Sequence, residues 1–167
     1  MGKKRDNQQG LLRIISGGQT GVDRAALDVA FALGLPHGGF CPRGRRAEDG
    51  SIPPHYPLIE LESDDYAVRT EQNIIEADAT LILYRTRMTG GTLLTFNLAK
   101  KHFKPYRTIR LERTCDTNPL LEWIQNTPIH TLNVAGPRAS TDPEVYELAA
   151  TFLWELLNEV PRRRMGE

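Results

Sequence analysis

The 167-residue sequence predicts an α/β fold, with a mostly parallel sheet of about six strands covered by helices on both faces. Three observations carry that expectation. Short apolar runs of strand type alternate with longer stretches of helical spacing, β-α-β-β-α-β-α-β-α-β-α, with no internal repeat. No apolar run approaches the roughly 18–20 residues needed to span a membrane. Glycine-bearing segments follow three of the strand-type runs and precede helices, which is where open α/β sheets take their ligands.

Each element has its own reason. Residues 11–15, Leu-Leu-Arg-Ile-Ile, read as a buried strand closed by Ser16, Gly17 and Gly18. Residues 22–33 place apolar side chains at 22, 26, 29, 30 and 33, and Gly34 and Pro36 stop that helix. Residues 37–41 read as a second strand, weakened by two glycines. Residues 42–57, with four prolines and many charges, read as a long loop. Residues 58–61 form a short strand, and Ser63, Asp64, Asp65 and Tyr66 open a helix with its acids at the positive end. Residues 79–84, Ala-Thr-Leu-Ile-Leu-Tyr, are the clearest strand. A helix over 92–102 stops before Pro105; a strand over 107–111, a short helix over 118–126 and a last strand over 131–135 follow. Thr141 and Glu144 form a capping box for a final helix to about residue 159, ended by Pro161.

The length fits one ligand-binding domain, residues 11–160, between basic tails at 1–10 and 161–167. Lys and Arg number 21, as do Asp and Glu, so the formal net charge is 0. Lys3, Lys4 and Arg5 against Asp6, and Arg162, Arg163 and Arg164 against Glu167, give each tail +2 and leave the body at −4. An acidic body is not the footprint of a non-specific nucleic-acid binder, and the tails read as disordered, solubilising ends. Residues 1–10 lack the apolar stretch of a secretory signal. With two Cys and no metal-like spacing, these features predict a cytosolic protein with reduced thiols, no nucleic-acid or membrane partner and no catalytic metal. His37, His55, His102 and His130 are scattered, Cys41 reads as a packing thiol beside the basic loop, and Cys115 has no partner motif.

The glycine segments carry the chemistry. Gly17, Gly18, Gln19, Thr20 and Gly21 follow the first strand and open a helix that holds Asp23 and Arg24. Glycines let a backbone approach a ligand, and a helix start offers unpaired N–H groups to an anion. No Gly-Lys-Ser/Thr follows, so this is not a P-loop; Ser16 stands where a dinucleotide fingerprint needs glycine, and the acidic ribose anchor is missing, which disfavours NAD. Gly90, Gly91 and Thr92 form a second turn with flanking hydroxyls, and Gly136 to Arg138 a third. In the long loop Arg43, Arg45 and Arg46 suit bidentate phosphate contact. Glu48 and Asp49 beside them are either an acid/base pair, should the protein be an enzyme, or anchors of the loop.

Residues 14–28 (Ile-Ile-Ser-Gly-Gly-Gln-Thr-Gly-Val-Asp-Arg-Ala-Ala-Leu-Asp), 37–50 (His-Gly-Gly-Phe-Cys-Pro-Arg-Gly-Arg-Arg-Ala-Glu-Asp-Gly), 89–92 (Thr-Gly-Gly-Thr) and 132–138 (Leu-Asn-Val-Ala-Gly-Pro-Arg) together resemble the molybdenum cofactor carrier protein family. That family is similar in turn to a circularly permuted Rossmann-like branch containing lysine-decarboxylase-like phosphoribohydrolases and the DNA-processing protein DprA. The resemblance implies a Rossmann-like three-layer sandwich and a homo-oligomer, dimer-based and often tetrameric. It also implies a pocket that holds molybdenum cofactor, a phosphate-bearing molybdopterin, until transfer to molybdoenzymes or cofactor-synthesis proteins. On this reading Gly17, Gly18, Gln19, Thr20, Gly21 and Arg24 contact the phosphate, Gly90, Gly91, Thr92, Gly136 and Arg138 complete the cradle, and Arg43, Arg45 and Arg46 neutralise charge. Two alternatives stand beside the carrier: a nucleotide phosphoribohydrolase using Glu48 or Asp49, and a nucleotide-sensing interaction module. The related hydrolases carry Pro-Gly-Gly-x-Gly-Thr-x-x-Glu, whereas residues 89–95 here are shorter and no Glu follows.

Overall fold

In the computed structural model, which describes residues 11–164, the first apolar run forms strand β1 (Arg13–Ile15), followed by helix α1 (Val22–Ala32). The predicted single strand over 37–41 is split into β2 (His37–Gly38) and β3 (Phe40–Cys41). Gly39 makes the break: its φ is 127°, and a Cβ there would lie 2.2 Å from the Ser16 carbonyl oxygen. The long loop holds a short 3₁₀ turn (Arg43–Arg45) and the antiparallel pair β4 (Arg46–Ala47) and β5 (Gly50–Ser51). Next come β6 (Ile59–Glu60) and α2 (Tyr66–Glu76), whose N-cap Asp65 accepts from the Ala67 N–H at 2.8 Å. The chain ends with β7 (Ala79–Tyr84), α3 (Gly90–Lys101), β8 (Tyr106–Arg110), α4 (Asn118–Asn126), β9 (Thr131–Ala135) and α5 (Val145–Arg164).

The main sheet has five strands in the order β2-β1-β9-β7-β8, all parallel. It is one short of expectation because the 58–61 segment pairs, as β6, with β3 in a separate ribbon. Helices α1, α4 and α5 share one apolar core on one face, with Ile14, Leu81, Leu83, Leu132 and Val134 from the sheet. Helices α2 and α3 pack together on the other, completing a Rossmann-like sandwich. Ile14, Ile15, Leu81, Ile82 and Leu83 are fully buried, each stabilising the fold by about 1.5–3 kcal/mol over an exposed side chain. The three central strands β1, β9 and β7 are the ones whose tips carry the three glycine segments.

Two helix starts differ from the sequence reading. Helix α3 begins at Gly90, so the glycine pair is its first turn and not a loop ahead of it. The capping box at Thr141 and Glu144 does not form: the Asp142 carboxylate accepts from the Glu144 N–H at 3.2 Å, while the Glu144 side chain pairs with Arg85. Helix α5 also runs through Pro161, since a proline φ is itself helical and the chain forfeits one backbone hydrogen bond there. The expected tail at 1–10 and the end of the other, 165–167, lie outside the described residues. Among the described residues no helix is long and apolar enough to cross a membrane.

Candidate anion-binding cleft

The tips of β1, β9 and β7 converge on one cleft. Gly17 and Gln19 line it from the first turn, Gly90, Gly91 and Thr92 from the start of α3, and Gly136 and Arg138 from the third segment. Backbone packing locks the first and third segments together. Gly21 has a φ of 81°, and a Cβ on it would lie 2.4 Å from the Pro137 carbonyl oxygen. The same carbonyl accepts from the Val22 N–H at 3.2 Å, and the Ser16 hydroxyl donates to the Val134 carbonyl at 2.8 Å.

The two helix starts at this cleft differ in what they leave open. At α1 three amides are already spent within the protein: the Gln19 N–H donates to Asp23 at 3.2 Å, the Thr20 N–H to the Gln19 side chain at 3.1 Å, and the Val22 N–H to Pro137. At α3, Thr89 gives no side-chain cap, and among the described residues the Gly90 and Gly91 N–H groups donate to no protein acceptor. A Cβ on Gly91 would meet nothing within 4 Å. Open amides at the positive end of a twelve-residue helix favour an anion there.

Arg69, from α2, lines the same cleft and is only 7% exposed. Its guanidinium donates to the Gly17 carbonyl at 2.8 Å and lies 5.3 Å from the centre of the Tyr66 ring. Gly17 must be glycine for that approach, since a Cβ would sit 2.5 Å from the guanidinium nitrogen. Among the described residues no carboxylate comes within ion-pair distance of Arg69. A buried cation without a paired anion is costly unless a ligand supplies one.

Asp23 is the buried carboxyl of the site. Burial pushes its titration up; Arg69, the Gln19 N–H, Ser16 and Arg24 oppose the shift without cancelling it. Asn73 and Asn133 are also buried in the lining. Asn73 spends its amide on the Phe40 backbone, accepting at 2.9 Å and donating at 3.0 Å, and so fastens β3 to α2.

The basic loop is fastened shut. Arg45 donates to the carbonyls of Ile52, Pro53 and Tyr56, and Arg46 to the Asp64 carbonyl, with its guanidinium 4.8 Å from the Tyr66 ring centre. Arg43 is exposed. Arg24 holds Asp49 through two contacts of 2.6 and 2.8 Å and donates to the Gly18 carbonyl. Glu48 accepts from the Thr20 hydroxyl and from the backbone and hydroxyl of Ser140, with Arg138 at 3.8 Å. Burial raises the Glu48 carboxyl, but the Ser140 and Thr20 hydrogen bonds and Arg138 outweigh it and hold it low. Neither Glu48 nor Asp49 lines the cleft; both tie the loop to the strand tips.

Against this geometry the family comparison is decisive: the model of the circularly permutated YpsA SLOG family matches residues 14–157. The chain belongs to that family. A crystal structure from Syntrophus aciditrophicus, named "Putative molybdenum carrier protein", is 41% identical with a TM-score of 0.82. The match covers 91% of this chain and 98% of that one. No curated protein matches the chain.

In this SLOG-family chain, seven of the fourteen expected binding residues line the cleft: Gly17, Gln19, Gly90, Gly91, Thr92, Gly136 and Arg138. Gly18, Thr20, Gly21, Arg24, Arg43, Arg45 and Arg46 do not. Gly18 faces Leu58 and Ile52, so a side chain there would disturb packing before it met a ligand. Sequence reasoning missed Arg69, Tyr66, Thr70 and Asn73. Their spacing was the available signal, since i, i+3, i+4 and i+7 put them on one face of α2. Elsewhere, His102 contacts Glu71 at 2.7 Å, His37 contacts the Leu35 carbonyl, and burial pushes the Cys41 thiol up. Among the described residues no three His, Cys, Asp or Glu side chains gather as a metal site.

Proposed function

We propose that the cleft binds a phosphate-bearing organic ligand, molybdenum cofactor, and that the protein carries it in protected form. The observation that carries this reading is the buried Arg69, with no carboxylate at ion-pair distance among the described residues, lining the same cleft as the uncapped start of α3. A phosphate between them takes hydrogen bonds from Arg69 and from the Gly90 and Gly91 amides, with Thr92 and Arg138 beside it. The pterin ring lies against Tyr66 and Leu94. One charge-assisted hydrogen bond is worth about 1.5–3 kcal/mol, so phosphate alone binds weakly and the ring supplies the remaining affinity. The name of the Syntrophus aciditrophicus neighbour supports the cargo. Molybdenum enters as part of an organic cargo, so the reading asks for an anion cradle, not a set of metal-ligating side chains.

The carrier acts as a homo-oligomer in the cytoplasm and hands its cargo to molybdoenzymes or cofactor-synthesis proteins. The phosphoribohydrolase reading has less support, because Glu48 and Asp49 are held by Ser140, Thr20 and Arg24 outside the cleft. Native mass spectrometry of protein purified from a cofactor-producing host tests the proposal. A retained molybdopterin or its oxidation product is expected; a plain nucleotide, or release of free base from a nucleotide panel, overturns it.

A further inference from the structure

A second cavity, of about 300 Å³, lies beside α1. Its walls are Leu27, Asp28 and Phe31 from α1, His37 from β2, and His55 and Tyr56 from the long loop. None of these residues lines the cleft. Four of the six carry rings: Phe31 meets His37 edge-on at 6.1 Å, and His55 and Tyr56 are tilted together at 4.1 Å. Phe31 is 75% exposed, an apolar ring standing beside a hollow instead of in the core.

Asp28 is the one acid in this wall, and among the described residues no Lys or Arg pairs with it. Arg24, one turn earlier on α1, is already held by Asp49. The Asp28 carboxylate instead accepts from the Tyr146 hydroxyl at 2.6 Å. Burial and then that hydrogen bond push Tyr146 up to about 12, and burial followed by its own interaction with Asp28 pushes Tyr56 up further. Both phenols therefore stay neutral donors, and no cationic side chain among the described residues pairs with Asp28. Ring faces and a carboxylate both attract a cation, and the hollow has room for its carbon skeleton.

We propose that this cavity binds a small protonated organic amine, with its ammonium on Asp28 and its carbon groups among the rings of Phe31, His55 and Tyr56. Backbone-amide NMR titration of the full chain with benzylammonium tests it, with benzyl alcohol as the neutral isostere. The expected result is saturable shifts at residues 28, 31, 37 and 56, and binding about tenfold or more weaker for the alcohol and for benzylammonium on Asp28→Asn. Phe31→Ala, at a largely exposed position that leaves the fold intact, weakens benzylammonium in the same way. Absence of saturable shifts at those residues overturns the proposal. So does equal binding of the alcohol, or unchanged affinity in Phe31→Ala. The cleft residues are untouched in these variants, so their outcome is independent of the carrier reading.

Discussion

Arg69 is the residue on which the binding site turns. Removing its charge while keeping its length, as in Arg69→Met, costs the ligand about 1.5–3 kcal/mol, roughly tenfold to a hundredfold in Kd by calorimetry. Gly91→Val probes the same spot from the other wall. A Cβ there meets open space, so thermal stability holds while affinity falls, because the added methyls fill the room beside the open amides. Asp23 sets the pH response. Its carboxyl titrates above the ordinary value of 3.8, so as pH rises through that raised value the site gains a negative charge beside Arg69. Affinity for sulfate, whose own charge is constant in this range, therefore declines with rising pH. Asp23→Asn removes the slope. A slope that survives in Asp23→Asn would place the titrating group elsewhere.

At the scale of elements, the long loop is a fastened flap. Glu48→Gln withdraws an acceptor from Thr20, Ser140 and Arg138 together and lowers unfolding stability by about 1–3 kcal/mol in denaturant titration. Because the Glu48 carboxyl is held below its ordinary value of 4.5, its contribution is whole above that value and is lost as pH falls through the lower, folded one. The variant should lose part of the wild-type decline in stability at acid pH. The same element shows where sequence reasoning stops. Strands 79–84 and 131–135 and the helix at 118–126 were legible to the residue, because apolar period and a proline near the start fix them locally. The loop arginines invited an anion-binding reading from charge alone, but Arg45 is spent on the carbonyls of Ile52, Pro53 and Tyr56 and Arg46 on that of Asp64, partners set by tertiary folding. Arg69 was hidden for the converse reason: a cation in mid-helix reads as solvated until α2 is seen packed over Gly17.

For the whole molecule, strand order does the assembling. Inserting the last strand, β9, between β1 and β7 brings together three glycine turns separated by up to 119 residues, as the Ala139 N–H bond to the Thr20 hydroxyl shows. The three turns were visible in the sequence, but how each spends its amides was not: the α1 turn commits those of Gln19, Thr20 and Val22 to the protein, and α3 leaves Gly90 and Gly91 open. That asymmetry makes the central claim spatial. It is tested by the anomalous difference density of a selenate-soaked crystal. The account predicts a peak within hydrogen-bond distance of the Arg69 guanidinium and the Gly90 and Gly91 amides. Selenate at the α1 turn, or among Arg43, Arg45 and Arg46, with the α3 start left bare would contradict it.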